Sequence, residues 1–123
     1  MEWKEQNYEC KFSDFQGIIT VFEKKNYLAH LKKRPGVFQR PKFPENIKNA
    51  LKEPTEVYLG GGAIYYYKKI YHPAPGVTFY LKVIAHRAQV KIKSKTQKIH
   101  VIKSAMETTD KKEERYNYRK LQI

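Results

Sequence analysis

The sequence lacks what a disulfide scaffold, a multi-thiolate zinc site or a membrane span requires. Cys10 is the single cysteine among 123 residues, which excludes an internal disulfide and a zinc site built on several thiolates. No stretch approaches the ~20 consecutive apolar residues of a membrane helix. The first ten residues, MEWKEQNYEC, are charged and contain no apolar signal core. We therefore expect a cytoplasmic protein with no membrane partner.

Acidic residues are also scarce. The chain has 12 Asp and Glu against 25 Lys and Arg, a formal net charge of +13. Such an excess favours a polyanionic partner, nucleic acid before an anionic membrane surface, although a basic chain can also be merely soluble. So few carboxylates argue against a two-metal nuclease, and the four histidines show no ligand spacing. No metal or other cofactor is expected.

The length is that of one domain, and two short helices are predicted in its first half. The β-branched run GIITVF (17–22) predicts a buried strand. Tyr27, Leu28 and Leu31 then form an apolar stripe at helical spacing within residues 23–34. A second helix is expected within residues 40–54, with Pro44 at its first position.

From residue 55 onward the apolar period is two, which is typical of strands. We predict strands over residues 55–59, 63–71, 77–86, 89–93 and 98–106, with Gly60–Gly62 as a hairpin connection. The predicted fold class is α+β: two short N-terminal helices packed on one face of a curled antiparallel β-sheet meander, preceded by one or two short strands. The other face is expected to stay partly open. Residues 1–106 would form the domain, and residues 107–123 a charged C-terminal helix or a mobile tail.

His30 is the first candidate catalytic residue. It lies at the edge of the apolar helical stripe, with Lys33 and Arg34 three and four residues further on. Neighbouring cations favour the neutral imidazole, which can take a proton from a ribose 2′-OH while the cations stabilise charge on the phosphorane. The alternative is an ordinary histidine on a solvated basic helix.

The strands supply further candidate residues. Ser104 shares a predicted face with His100 on the last strand, where both could contact phosphate or a 2′-OH; an edge strand with mixed outward residues is equally compatible. Aromatic and basic side chains alternate on the preceding strands and could stack unpaired bases or simply cover a half-exposed sheet. These residues are Tyr65, Tyr67, Lys69, Tyr80 and Lys82. Arg87 and Lys103 are further candidates for charge stabilisation.

Five segments in order resemble one nuclease family: GIITVF, AHLKKRPG, IKNALKEPTEVY, AIYYYKK and IHVIKSAM. The series is similar to the fold shared by barnase, EndoU, the tRNA-cutting colicins and RelE, in particular its phage-borne branch. By this resemblance His30 matches the helix histidine of acid/base catalysis, and Ser104 matches a final-strand threonine. Arg34 stands where the family commonly has a second histidine. This departure leaves open an altered specificity or an inactive relative that still binds RNA.

The resemblance implies a metal-independent endoribonuclease. The 2′-OH would attack the adjacent phosphate and leave a 2′,3′-cyclic phosphate, with tRNA, mRNA or rRNA as substrate. Such a protein would be a toxin or a phage or mobile-element protein, with an acidic antitoxin or immunity protein as a further partner. The alternative function is a non-catalytic basic RNA- or DNA-binding module. As an analogy between fold and function, the resemblance sets an expectation that the site itself must support.

Overall fold

The computed structural model describes residues 7–33, 43–70, 78–109, 111–116 and 118–123. In these ranges seven strands form one sheet, and three short helices accompany it. The strands are β1 (Tyr8–Ser13), β2 (Ile19–Glu23), β3 (Glu56–Gly60), β4 (Ala63–Ile70), β5 (Phe79–Ile92), β6 (Lys95–Thr108) and β7 (Arg119–Lys120). The helices are α1 (Lys24–Lys33), α2 (Phe43–Lys52) and α3 (Lys112–Arg115).

The predicted fold class is wrong, because the sheet is mixed and its strand order is not that of a meander with leading strands. The order is β1-β2-β6-β5-β4-β3-β7, and β2 lies parallel to β6 in the interior of the sheet. The apolar run GIITVF (17–22), which predicts a buried strand, agrees with the position of β2 in the interior of the sheet. Thr20, Val21 and Phe22 are each fully buried, so both faces of β2 are covered. Burial on both faces is typical of parallel strands, and the two edges of β2 pair with β1 and β6.

A long hairpin is the largest element of the sheet. β5 and β6 have 14 residues each and pair antiparallel along their whole length. The separate strands predicted over 77–86 and 89–93 are thus one strand within the described residues, and the turn that follows it lies at Lys93–Ser94. Both turn residues have positive φ, 51° and 67°, as a two-residue type I′ turn requires.

Ser94→Gly will stabilise the protein, because glycine adopts the left-handed conformation at residue 94 without the clash that costs other residues about 1–2 kcal/mol. We expect the free energy of unfolding to rise by about 1 kcal/mol in urea denaturation. Thr96→Gly, two residues further into the strand, is the matched control and should lower it by about 0.5–1 kcal/mol. Destabilisation by Ser94→Gly would contradict the turn assignment.

The main core lies on one side of the sheet, which we call the helix face. α2 contributes Ile47, Ala50 and Leu51, all fully buried. α1 contributes Tyr27, whose ring meets that of Phe22 edge-on at 5.3 Å between centroids. The strands complete the cluster with Val57, Ile64, Tyr66, Leu81, Val83, Ala85, Ile102 and Ala105.

The opposite side, the tail face, is covered rather than open. It carries Tyr65, Tyr67, Lys82, Ile84 and Met106, and the chain end folds over it. We call residues 111–116 and 118–121 the C-terminal segment. Within it β7 pairs with β3, and the backbone N–H of Leu121 donates to Val57 O at 2.9 Å. Gly60 permits the close approach of this segment, because a Cβ there would lie 2.6 Å from the ring of Tyr118.

Candidate nucleic-acid interface

One carboxylate of the C-terminal segment, that of Glu113, neutralises the centre of the tail face. The side chain is buried and accepts hydrogen bonds from Lys82 Nζ at 2.6 Å and from the Tyr67 hydroxyl. The Lys82 ammonium also lies 5.3 and 5.5 Å from the ring centroids of Tyr65 and Tyr67. Lys82 is 7% exposed and Tyr67 is fully buried. Neither of these predicted RNA-binding side chains is available to a polynucleotide while the segment is in place.

Electrostatics holds the Glu113 carboxylate in its charged form. Burial by itself raises the pKa of Glu113, but the hydrogen bonds from Lys82 and Tyr67 outweigh burial and lower the pKa below its ordinary value. A second group of charges surrounds Lys111, whose Nζ lies 2.7 Å from both Glu56 Oε2 and Glu114 Oε2. Lys82 and Lys111 are therefore both paired with carboxylates of the same chain.

The remaining predicted residues of the tail face line or flank a small cavity. A space of about 390 Å³ lies beneath the C-terminal segment, and its lining includes Tyr65, Met106 and Tyr118. Tyr80 is half-buried and packs edge-on against Tyr67, with ring centroids 5.8 Å apart. Lys69 is exposed. The predicted aromatic and basic surface is thus mostly an internal packing surface.

Of the predicted catalytic residues, Ser104 alone has a side chain within the described part of the structure. The side chains of His30 and Lys33, and the whole of Arg34, lie outside the described residues. Ser104 pairs with Ile84, and directly opposite residues of an antiparallel pair share a face. Ser104 is therefore on the tail face, whereas α1, which carries His30, packs on the helix face through Tyr27.

A β-bulge separates residues of β6 that alternation predicts to share a face. The register shifts between Ile84 and Ala85, whose partners on β6 are Ser104 and Ile102, and Lys103 is the extra residue. His100 and Ile102 thus lie on the helix face, and Ser104 and Met106 on the tail face. The Lys103 Nζ donates to Glu23 Oε1 at 2.9 Å, so its charge is compensated within the chain.

His100 belongs to a buried polar network on the helix face. Its ring is 1% exposed, and Nδ1 lies 2.9 Å from the hydroxyl oxygen of Tyr66. The Tyr66 hydroxyl donates to Asp14 Oδ2 at 2.8 Å. Since that hydroxyl has a single proton, the His100 Nδ1–H must be the donor to the tyrosine oxygen. A ring enclosed in this way is not available to RNA, contrary to the role predicted for His100.

Asp14 anchors this network to the loop between β1 and β2. Its Oδ1 accepts from the backbone N–H groups of Gln16 and Ile18, each at 2.9 Å. Burial by itself raises the pKa of Asp14, but the hydrogen bonds from His100, Ile18, Tyr66 and Gln16 lower it below its ordinary value. Burial and the nearby Asp14 carboxylate in turn raise the pKa of Tyr66. The aspartate is thus a structural anion that orients three chain segments.

A cluster of exposed cations lies at the turn end of the long hairpin. Residues 57–106 contain nine Lys and Arg and no Asp or Glu. Five of these cations fall in residues 87–98, which we call the arm: Arg87, Lys91, Lys93, Lys95 and Lys98. All five are exposed. In the described ranges no carboxylate forms an ion pair with any of them.

The register places five of the arm's polar side chains on one face. Gln89 is opposite Lys98, and Lys91 is opposite Thr96. Together with Arg87, these four exposed residues form what we call the polar face of the arm. Of these residues, Arg87 alone is among the predicted RNA-binding residues. The absence of Asp and Glu from residues 57–106 is the sequence feature that could have identified this region as a whole.

Other kinds of site find little support in the described residues. No three His, Cys, Asp or Glu side chains there lie close enough together to hold a metal ion. No helix in the described ranges is both long and apolar enough to cross a membrane.

Comparison of the chain with protein-family models, curated protein sequences and solved structures finds no match. The resemblance to the barnase, EndoU, colicin and RelE fold therefore stays a prediction.

Proposed function

We propose that this protein binds nucleic acid without cleaving it and that the arm contacts the phosphate backbone. The observation that carries the proposal is the cluster of five exposed cations in residues 87–98 that have no ion-pair partner in the described chain. A cation surrounded only by mobile ions releases counterions from the nucleic acid when it meets a phosphate, and this release drives binding.

The contrast with the tail face supports this choice of surface. Lys82 already has a carboxylate partner 2.6 Å away, and Lys111 has two at 2.7 Å. A phosphate would have to displace those carboxylates, so the net gain would be small. The arm offers charge without this competition. The opposite face of the arm is anchored to the sheet, because Val90 packs with Val21 and Ile99 in a second buried cluster.

Catalysis stays a prediction of the sequence. A metal-independent ribonuclease needs a base and a phosphate-binding group at one scissile phosphate. Ser104 lies on the face opposite the helix that carries His30, so the described geometry favours binding over cutting. A cytoplasmic location and an acidic protein partner likewise stay predictions.

Two double variants of equal charge test the surface. Lys91→Ala/Lys98→Ala removes two cations from the arm, and Lys24→Ala/Lys25→Ala removes two exposed cations from α1. Binding to a labelled 24-base-pair DNA duplex is followed by fluorescence anisotropy over a salt series. We expect the arm variant to lose about tenfold or more in affinity and to reduce the salt slope by about two, because each phosphate contact contributes about 0.9.

The α1 variant is the control and should bind nearly as the wild type does. Equal losses in both variants would show that only net charge matters. A larger loss in the α1 variant would move the interface to the helix that carries His30, in agreement with the sequence-based ribonuclease prediction. Absence of binding at low salt would contradict the proposed function itself.

The same preparations test catalysis. Wild type and His30→Ala are incubated with bulk RNA in EDTA, and fragment ends are analysed. We expect no fragments from either protein. Cyclic phosphate ends from the wild type alone would establish the ribonuclease instead.

A further inference from the structure

The arm is a two-stranded ribbon that continues beyond the rest of the sheet. The last pair between β4 and β5 is Ala63 with His86, and the first pair between β2 and β6 is Ile19 with Ile99. Residues 89–92 thus pair with residues 95–98, and in the described ranges no third strand flanks these eight residues. Arg87 and Ala88 precede them on β5 and pair with His100 and Ile99, beside β2. Such a ribbon presents two faces and two open edges.

The two faces of the arm have different roles. Ala88, Val90 and Ile92 pack into the second buried cluster with Val21 and Ile99. The opposite side is the polar face, which has no apolar or aromatic side chain: Arg87, Gln89, Lys91, Thr96 and Lys98. The arm therefore holds a rigid row of hydrogen-bonding groups with one face fully presented to solvent.

The polar face lacks the aromatic rings on which one mode of nucleic-acid binding depends. Proteins that bind single strands stack the unpaired bases on exposed aromatic rings. The tyrosines of the central strands belong to the packed body of the sheet, where Tyr58, Tyr66 and Tyr67 are at most 1% exposed. The polar face itself offers hydrogen-bonding and charged groups, which suit base edges and phosphates.

The dimensions of the ribbon match one kind of groove. Paired strands lie about 4.8 Å apart, so a two-stranded ribbon with its side chains fits the major groove of B-form DNA, about 12 Å wide. Side chains on one face of a strand recur about every 6.8 Å, close to the rise of two base pairs. The major groove of A-form RNA is too deep and narrow for such an element.

We propose that the polar face of the arm enters the major groove of duplex DNA, an inference that rests on the proposed nucleic-acid binding. Gln89 and Lys98 are directly paired at the centre of this face. The Gln89 amide can pair with adenine N6 and N7, and the Arg87 guanidinium with guanine O6 and N7. Lys91, with Lys93 and Lys95 at the turn, contacts the flanking phosphates.

Three duplex probes of one sequence and equal charge test the groove. The first is unmodified 24-base-pair DNA. The second carries bulky C5 substituents on its pyrimidines, which fill the major groove and leave the phosphates unchanged. The third is the RNA duplex. With the full chain at one salt concentration, we expect the second and third probes to bind about tenfold or more weakly than the first, because both deny the ribbon access to base edges.

Two isosteric variants provide the matched control. Gln89→Glu places a carboxylate on the polar face, whereas Gln97→Glu places it on the opposite face, since Gln97 pairs with Val90. Both glutamines are exposed and both changes alter the net charge equally. We expect Gln89→Glu to weaken binding to unmodified DNA by about tenfold and Gln97→Glu by much less.

The outcomes separate the inference from the proposed function. Equal affinity for the three probes, or equal effects of the two glutamate variants, would overturn groove insertion and leave backbone binding intact. Tighter binding to a single strand of the same sequence would also overturn groove insertion. Absence of binding to every probe would overturn both.

Discussion

Glu113→Ala will lower the free energy of unfolding by about 3–5 kcal/mol, because it leaves a buried ammonium group without its counter-charge. Lys82 Nζ lies 2.6 Å from Glu113 Oε1, and the two side chains are 9% and 6% exposed. The Tyr67 hydroxyl loses its acceptor in the same change. Urea denaturation of the variant and the wild type at neutral pH and equal salt measures the difference.

Two further variants show whether the loss comes from the unpaired charge. Lys82→Met/Glu113→Leu removes both charges and fills their volume, and we expect it to recover most of the lost stability. Glu114→Ala removes a neighbouring carboxylate that is exposed to solvent and should change stability far less. If the double variant were as unstable as Glu113→Ala, the Lys82–Glu113 pair would not be the cause.

Asp14→Ala will destabilise the protein by about 3 kcal/mol or more at neutral pH. The side chain of Asp14 is fully buried, and its carboxylate accepts from Tyr66 and from the backbone of Gln16 and Ile18. Removing the carboxylate leaves these buried donors without a partner, and each costs about 1–3 kcal/mol. Asp14→Asn retains one carbonyl acceptor but no charge, so we expect a smaller loss. Urea denaturation at pH 7 checks both variants.

The pH dependence of this loss identifies the charged form of Asp14 as the stabilising one. The pKa of Asp14 is lowered in the folded protein from 3.8, so the folded state binds this proton less readily than the unfolded state. Its contribution is complete above pH 3.8 and is lost as the pH falls through the lower folded pKa. The stability difference between wild type and Asp14→Asn should therefore be constant near neutrality and shrink in strong acid.

Tyr66→Phe is the companion variant for the same network. It removes the hydroxyl that joins Asp14 to His100 and keeps the ring, which meets Phe15 edge-on. We expect a loss of about 1–3 kcal/mol, because Asp14 Oδ2 and His100 Nδ1 then lack their common partner. A stability difference between wild type and Asp14→Asn that grows towards low pH would contradict this account of the network.

Much of the local structure could be predicted from periodicity. The apolar stripes of residues 23–34 and 40–54 correspond to α1 and α2, and the alternation from residue 55 corresponds to β3, β4, β5 and β6. Strand pairing could not be predicted in the same way. The run GIITVF shows that β2 is buried, but nothing local specifies that its neighbour is β6, about 80 residues later.

The candidate site shows the same division. Alternation correctly puts Tyr65 and Tyr67 on one face, yet it does not show that Glu113 will cover them. Alternation also predicts that Ser104 and His100 share a face. The β-bulge at Lys103 puts them on opposite faces instead. The interface we propose instead depends on a feature of composition, the acid-free stretch over residues 57–106, which persists whatever the fold.

Net charge, the approximate positions of the helices and strands, and the alternation of side chains along each strand follow from the sequence alone. These properties depend on backbone stereochemistry and on residue type within a few positions. Three features depend on long-range packing instead: β2 joins the sheet beside β6, Glu113 neutralises Lys82, and the cations of the arm have no ion-pair partner among the described residues. These features depend on which segments, distant in sequence, pack against each other. The free energy gained by burial arises from the contact between two segments, so it cannot be read from either segment alone.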